Sequence, residues 1–327
     1  MPNKYRWGII GCGNIAGKFA TALNTLGNAT LYAVASRDAG RAKEFAKTYG
    51  AKLWYDNYEM LASNPDVDII YVATTHNFHY EHTMLALEYK KHVLCEKPFA
   101  INAYQAKRMI RTARSKHVFL MEAMWMRFIP ATRKLMELIT NKIIGDITQI
   151  NADFCVEFPF NKEHRVYNPA LAGGAMLDVG VYPLNWAYML FSEEPVQVNS
   201  SAKIGETGVD QQSAYMLRYK SGAIALLSSS VEFTKENEGW IYGTKGKIHI
   251  PLFYKPQAIH IHYNGGLTET IEMPYESTGY SYEADALMKD IDQHKLESAL
   301  MPLHQTLNII ELMDKFRNSW GMKYPME

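Results

Sequence analysis

The strongest constraint on this chain is an alternation in its first 123 residues. Short runs that are apolar at nearly every position, "YRWGIIG", "LYAVAS", "DIIYVAT", "HVLCEK" and "VFLMEA", are separated by segments of helical periodicity. A strand apolar at every position, rather than at alternate ones, has both faces covered, which is the pattern of a parallel sheet layered with helices. "NIAGKFATALNTLG" sets Ile15, Phe19, Ala22, Leu23 and Leu26 at helical spacing and runs to Gly27. "RDAGRAKEFAKTYG" places Asp38 as N-cap and Gly50 as terminator of a second helix. Two more helices are expected near 78–89 and 102–116.

The grammar changes after Arg127. A helix near 128–142 precedes the longer strand "DITQINADFCVEF", and a second helical region spans about 174–191. Then "AYMLRYKSG", "AIALLSSSVEF", "KGKIHI" and "AIHIHYNGG" follow one another with alternating polarity and no helix between them. Such a succession predicts a mainly antiparallel, open-faced sheet, with Tyr, Met, Leu, Ile and His of these strands placed where pairing with a second copy would bury them. Helices near 281–296 and 303–320 close the chain. The expected fold is α/β: a Rossmann-type parallel sheet over 1–123 and an α+β domain for substrate and dimer contacts over 124–327, abutting at residues 122–127.

Composition narrows the function classes. Lysine plus arginine balance aspartate plus glutamate at 34 each, so no global field recruits nucleic acid or an anionic membrane. Cys12, Cys95 and Cys155 have no metal-ligand spacing and read as reduced thiols. The start "MPNKYRWGII" lacks a signal-peptide core, and no uncharged apolar run is long enough for a membrane span, so a cytoplasmic location is expected.

The first strand runs into "GIIGCGNIAGKFA", where Gly11, Gly13 and Ala16 fit G-x-G-x-x-A between strand and helix. The first glycine permits the turn, the second lets backbone approach a pyrophosphate, and the small third residue lets helix and strand pack closely. Free N–H groups at the helix start, at Asn14 and Ile15, then face the phosphates. A dinucleotide is the expected ligand. Its identity turns on "VASRD" at the end of the second strand, where an NAD site usually carries a carboxylate for the ribose. Ser36, Arg37 and, one helical turn on, Arg41 suit a 2′-phosphate instead, with Asp38 as helix cap. NADP is the expected cofactor, with NAD the alternative should Asp38 reach the ribose.

A second set of residues carries chemistry. "CEKPFA" ends the fifth apolar strand with Glu96 and Lys97, where ligands sit in parallel sheets. "GGAMLDVGVYPL" puts Asp178 and Tyr182 four apart, on one face if helical, with Pro183 expected to kink or interrupt the helix. Each alone is ordinary: an exposed ammonium, a packing tyrosine. In that order, the glycine fingerprint, "EKP" and Asp-x-x-x-Tyr resemble the glucose–fructose oxidoreductase/inositol dehydrogenase (Gfo/Idh/MocA) family. The resemblance covers nearly the whole chain, including "YDNYEML", "YVATTHNFH", "MEAMWMRFIP" and "GTKGKIHIP". Within the family it is most similar to the branch of dimeric dihydrodiol dehydrogenases and NADP-dependent D-xylose dehydrogenases.

That resemblance implies an NAD(P)-dependent dehydrogenase acting on a CH–OH group of a sugar or cyclic diol, and a homodimer. It implies Tyr182 as acid–base group, Lys97 touching the substrate hydroxyl, and Asp178 orienting substrate or lysine. It places Glu96 near the nicotinamide, Thr74, Thr75, Asn77 and His79 along the cofactor cleft, and Trp125 and Arg127 beside nicotinamide or substrate. The Lys97–Pro98 peptide resembles one often cis in the family. The chemistry is coherent, because a nearby ammonium stabilises tyrosinate and makes phenol a usable base for the hydroxyl proton. The alternatives are an NAD-dependent inositol-type sugar dehydrogenase and a non-catalytic NADP or sugar sensor, against which retention of Lys97 and Tyr182 argues. The recurring His76, His79 and His82, and the pair His260 and His262, have no partner ligands in the sequence and predict no metal site.

Overall fold

The structure, a computed structural model, describes residues 4–327, in two compact units. The first comprises the chain up to Trp125 together with Glu276–Leu307, and the second comprises Met126–Tyr275 with Asn308–Glu327.

In the first unit the strands β1 (Tyr5–Ile10), β2 (Ala29–Ala35), β3 (Leu53–Tyr55), β4 (Ile69–Val72), β5 (His92–Glu96) and β6 (Leu120–Ala123) form one sheet in the order β3-β2-β1-β4-β5-β6. Every pairing in it is parallel. The strands alternate with α1 (Asn14–Leu23), α2 (Ala39–Tyr49), α3 (Tyr58–Ser63), α4 (His79–Glu88) and α5 (Ala103–Lys116). β4 and β6 are buried at every position, the expectation for a sheet covered on both faces. The order reverses between β1 and β4, which creates a switch point at the strands' carboxyl ends.

Local signals place the helix ends. Asp38 accepts the Arg41 N–H at 3.0 Å and caps α2, and Gly50 closes it at φ +77. Helix α1 stops at Leu23, short of Gly27, because the chain tightens into i→i+3 bonds from Thr25 and Leu26. His117, at φ 54, ends α5.

The second unit holds α6 (Pro130–Thr140), β7 (Ile147–Cys155), α7 (Val181–Phe191), β8 (Gln197–Ile204), β9 (Asp210–Arg218), β10 (Ile224–Ser230), β11 (Gly239–Gly243), β12 (Gly246–Ile250), β13 (Ala258–Tyr263) and β14 (Thr268–Glu272). Its sheet runs β14-β13-β12-β11-β7-β10-β9-β8 and is antiparallel except where β7 meets β10. Helix α8 (Ser281–Asp292) belongs to the first unit, while α9 (Leu303–Ser319) begins in the first and continues in the second after Leu307.

Alternation of buried and exposed positions divides most of the second sheet. Tyr215, Leu217, Ile259 and Ile261 are buried, whereas Met216 and Leu226 are 36% and 42% exposed. Tyr215, Ile259 and Ile261 therefore serve the unit's own core, and the alternate residues supply the open face. One register row crosses all eight strands on that face: Asn199, Met216, Leu226, Asn151, Trp240, His249, His260 and Thr270. Trp240 stacks on His249 with ring centres 4.2 Å apart.

Candidate active site

The glycine-rich turn follows directly from β1. Gly11 has φ +98, and a Cβ there would lie 2.8 Å from the Ala73 carbonyl oxygen at the end of β4, so no larger residue fits. A Cβ on Gly13 would meet nothing within 4 Å, which leaves an open approach to the start of α1. Gly13 is the N-cap and provides no side-chain cap, so the first N–H groups of α1, at Asn14 and Ile15, remain available to an anion. Close packing below and open space above fit a pyrophosphate.

At the end of β2, Ser36 is buried and its Oγ accepts the Asp38 N–H at 3.3 Å. Arg37 and Arg41 are exposed, and the Arg37 guanidinium lies 5.2 Å from the Phe78 ring centre. The Asp38 carboxylate, occupied at the helix start, has its local role filled.

The loop after β4 is braced rather than open. Thr75 donates to Asn77 Oδ1 at 2.7 Å, and Thr74 Oγ1 lies 3.1 Å from His82 Nδ1. His79 is 1% exposed, with Nδ1 2.7 Å from the Pro98 carbonyl and Nε2 3.0 Å from the Thr74 carbonyl. Burial pulls its pKa below the usual value against the raising effect of those carbonyls, and the Lys97 charge adds to the lowering. It ties the β4 loop to the segment carrying Lys97, whose bond to Pro98 is cis as expected. His82, stacked on Phe78, is held at about 4 by burial, by His79 and by Arg37.

Glu96 is buried at the end of β5, where it accepts the Tyr71 hydroxyl and, at 3.1 Å, the Lys97 N–H. Trp125 stacks on Tyr280 at 4.4 Å. Neither Tyr71 nor Tyr280 was distinguished by sequence from ordinary packing aromatics.

In the second unit, Met176–Gly180 form a π turn that leads into α7. Pro183 lacks the N–H needed to continue an i→i−4 ladder, and the widened turn lies immediately ahead of it. The interruption predicted at Pro183 therefore falls upstream. Asp178 is 3% and Tyr182 7% exposed. Asp178 accepts Arg165 Nη1 at 2.8 Å, a partner that sequence spacing could not reveal because it lies in an irregular loop. Tyr182 packs edge-on to Phe154, which itself stacks on Tyr254. A Cβ on Gly180 would lie 2.7 Å from the Tyr215 hydroxyl, so the π turn sits directly on β9. Beneath its start, buried Asp210 accepts the Met176 N–H and the Ser213 hydroxyl, each at 2.7 Å. Arg127 is also buried here, donating Nε to Asn185 Oδ1 at 3.1 Å. Asp178, Tyr182 and Arg127 thus belong to the second unit, and the other expected site residues to the first.

Two family profiles match successive parts of the chain. The profile of an oxidoreductase family with an NAD-binding Rossmann fold covers residues 5–124, and that of the GFO/IDH/MocA C-terminal domain covers 132–249. The chain is 36% identical to a trans-1,2-dihydrobenzene-1,2-diol dehydrogenase of Xenopus tropicalis, over 98% of this chain and 99% of that one. It is 33% identical to an NADP-dependent D-xylose 1-dehydrogenase of Hypocrea jecorina, over 99% and 94%. Among solved structures, a 3-ketoreductase from Actinomadura kijaniata with NADP and TDP-benzene superposes with a TM-score of 0.87 at 26% identity, over 97% of this chain and 98% of that one.

Proposed function

The chain belongs to the Gfo/Idh/MocA family of oxidoreductases, an NAD(P)-dependent dehydrogenase of CH–OH groups, and we propose that NADP(H) is its cofactor and a sugar or cyclic diol its substrate. The observation that carries the cofactor choice is the end of β2. Asp38 is engaged in capping α2, which leaves a buried hydroxyl at Ser36 and exposed guanidinium groups at Arg37 and Arg41 for a phosphate. The relatives, a diol dehydrogenase and a xylose dehydrogenase, support the substrate class.

Bound nicotinamide supplies or accepts the hydride. Tyr182 is the proposed acid–base group: its phenolate takes the hydroxyl proton during oxidation, and its phenol returns that proton during reduction. The Lys97 ammonium is the proposed hydrogen-bond donor to the substrate oxygen. Asp178, paired with Arg165, fixes the turn from which Tyr182 projects. Thr74, Thr75, Asn77, Glu96 and Trp125 border the proposed cofactor site, and His79 braces its loop.

Absorbance of reduced nicotinamide, followed with NADP⁺ or NAD⁺ against pentoses, hexoses and cyclic diols, tests the reading. NADP⁺ is expected to be preferred at least about tenfold, since a charged hydrogen-bond set contributes about 1.5–3 kcal/mol. Arg37→Ala should remove most of that preference. Equal use of both cofactors by the wild type would return Asp38 to the ribose.

We further propose a homodimer through the open face of the second sheet. The half-exposed Met216 and Leu226 lie second and third from the β8 edge of its eight-strand row, a setting that twofold pairing would bury. Sedimentation at micromolar concentration should give twice the chain mass, and a monomer there would refute the pairing. The three cysteines are free thiols and no described helix is long and apolar enough to cross a membrane, which supports a cytoplasmic location.

A further inference from the structure

The chain enters the π turn Met176–Gly180 through Gly173 and Gly174. Gly174 has φ +117, and a Cβ there would collide with Asp210 Oδ1. Its N–H donates to the Val166 carbonyl at 2.8 Å, and its own carbonyl accepts the Asp178 N–H at 3.2 Å. The placement of Gly174 is thus passed directly to Asp178, and through the turn to Tyr182 four residues on.

Two buried side chains grip this approach, one on each side of Gly174 along the chain. Asp210, the first residue of β9, accepts the Met176 N–H with Oδ2 at 2.7 Å. The first N–H groups of a helical turn have no acceptor within the turn, and here a distant strand supplies one in place of a local cap. Ser213 donates to the same oxygen at 2.7 Å and holds it in place. The other oxygen, Oδ1, is buried without a hydrogen-bond partner, a cost that asks for a reason beyond packing. Tyr324 donates its hydroxyl to the Gly173 carbonyl at 2.5 Å. Its ring is itself fixed, with the Arg317 guanidinium carbon 4.8 Å from the ring centre. Arg317 in turn donates to both carboxyl oxygens of Glu327, at 2.7 and 2.8 Å, and to Asp314 at 2.7 Å.

We propose that Asp210 and Tyr324 are positioning residues for proton transfer, a two-point clamp on the backbone around Gly174 that sets where the Tyr182 phenol stands. Glycine offers no side chain to resist rotation, so the approach is a hinge unless it is held from outside. One bond holds the carbonyl just before the hinge, and the other holds an N–H two residues after it. Together they fix the direction in which the turn leaves. Precision of this kind matters because a displacement of about 1 Å in a reacting group costs about 10²-fold in rate. The clamp also brings a segment more than a hundred residues further along the chain, Asp314–Glu327, into the service of the catalytic turn.

The inference rests on Tyr182 as the acid–base group, and kinetics of the full chain separate the two. The probe is NADP⁺ with D-xylose, or with whichever hexose or cyclic diol of the panel above is oxidised fastest, and kcat is taken per cofactor site titrated. Tyr324→Phe keeps the ring beside Arg317 and removes only the hydroxyl; it should lower kcat about tenfold and leave KM for NADP⁺ within about twofold. Asp210→Ala should lower kcat by about 10–10²-fold. Asp210→Asn, which keeps an acceptor for the Met176 N–H, should restore kcat to within about threefold of wild type. In a Tyr182→Phe background, Tyr324→Phe should change kcat by less than about twofold, since the group it positions is already gone. A clamp that served stability alone would lower the melting temperature of Tyr324→Phe and Asp210→Ala and leave kcat per site unchanged, which overturns the proposal. A full further loss from Tyr324→Phe in the Tyr182→Phe background overturns it as well, with the role of Tyr182 left standing. Normal turnover in Tyr182→Phe, or no oxidation of any probe by the wild type, removes the acid–base reading and the clamp together.

Discussion

The two sheets of this protein use their residues in opposite ways. In the first, β4 and β6 are buried at every position, so no strand face is left for a ligand and all recognition is pushed to the strand ends and the turns after them. There the backbone does much of the reading, through Gly11, Gly13 and the start of α1. In the second sheet, β9 alternates buried and exposed positions through most of its length, and the proposed chemistry rests on side chains of one segment lying on it, Asp178 and Tyr182. One unit should therefore respond to changes in backbone freedom and mainly lose binding. The other should respond to changes in side-chain chemistry and mainly lose turnover.

The largest effect should come from the side-chain half. Tyr182→Phe is expected to cut kcat by about 10²–10⁴ while the dissociation constant for NADP(H) stays nearly unchanged. Lys97→Met, a side-chain exception within the first unit, should lose a similar factor of turnover. Near-normal turnover in Tyr182→Phe would break the comparison, reducing Tyr182 to packing.

A smaller effect tests what lies beneath that segment. Burial raises the Asp210 carboxyl to about 7, against the lowering influence of the Ser213 hydroxyl, the Met176 and Asp210 backbone N–H groups, and Arg317. Because the folded form holds its proton more tightly than the unfolded chain, no penalty exists below about pH 4, where both are protonated. Stability then falls as pH rises toward 7, by about 1.4 kcal/mol per pH unit and up to about 4 kcal/mol in all. Urea midpoints measured from pH 4 to 8 should show this slope in the wild type and a flatter one in Asp210→Asn. Identical slopes would mean that the bonds from Met176 and Ser213 keep Asp210 ionised.

The smallest of the three belongs to the backbone half. Gly11→Ala places a Cβ against the Ala73 carbonyl at a positive φ, which should destabilise the protein by about 1–3 kcal/mol. NADP(H) affinity should fall with it, and kcat at saturating cofactor should change less than in Tyr182→Phe. Thermal melts and cofactor titrations of the same preparation separate these readouts.

Sequence reading reached what local periodicity encodes. Apolar strands, the caps at Asp38 and Gly50, and the glycine turn are each set by residues within a few positions of one another. It reached less of what depends on distant packing. Arg165 meets Asp178 through an irregular loop with no periodic signal. Glu283 stands where acidic residues are ordinary, the first turn of a helix, and only its complete burial makes it unusual. His79 showed as one of three evenly spaced histidines, and the carbonyls it joins, of Thr74 and Pro98, lie on either side of α4 in the chain. In the second sheet, alternation was legible but its phase was not: which of Tyr215 and Met216 faces inward is decided by the helices laid against the strand.

The first unit is assembled from two stretches of chain separated by residues 126–275. During synthesis its parallel sheet emerges early, yet the Tyr280 ring that stacks on Trp125 and the helix bearing Glu283 are still unmade. For the time needed to translate that insertion, roughly ten to thirty seconds at about 5–20 residues per second, the nascent sheet carries an uncovered flank. A ribosome stalled before residue 276 would hold a nascent chain able to form the glycine turn but lacking α8. The later half of the message therefore governs when the earlier half of the protein is finished.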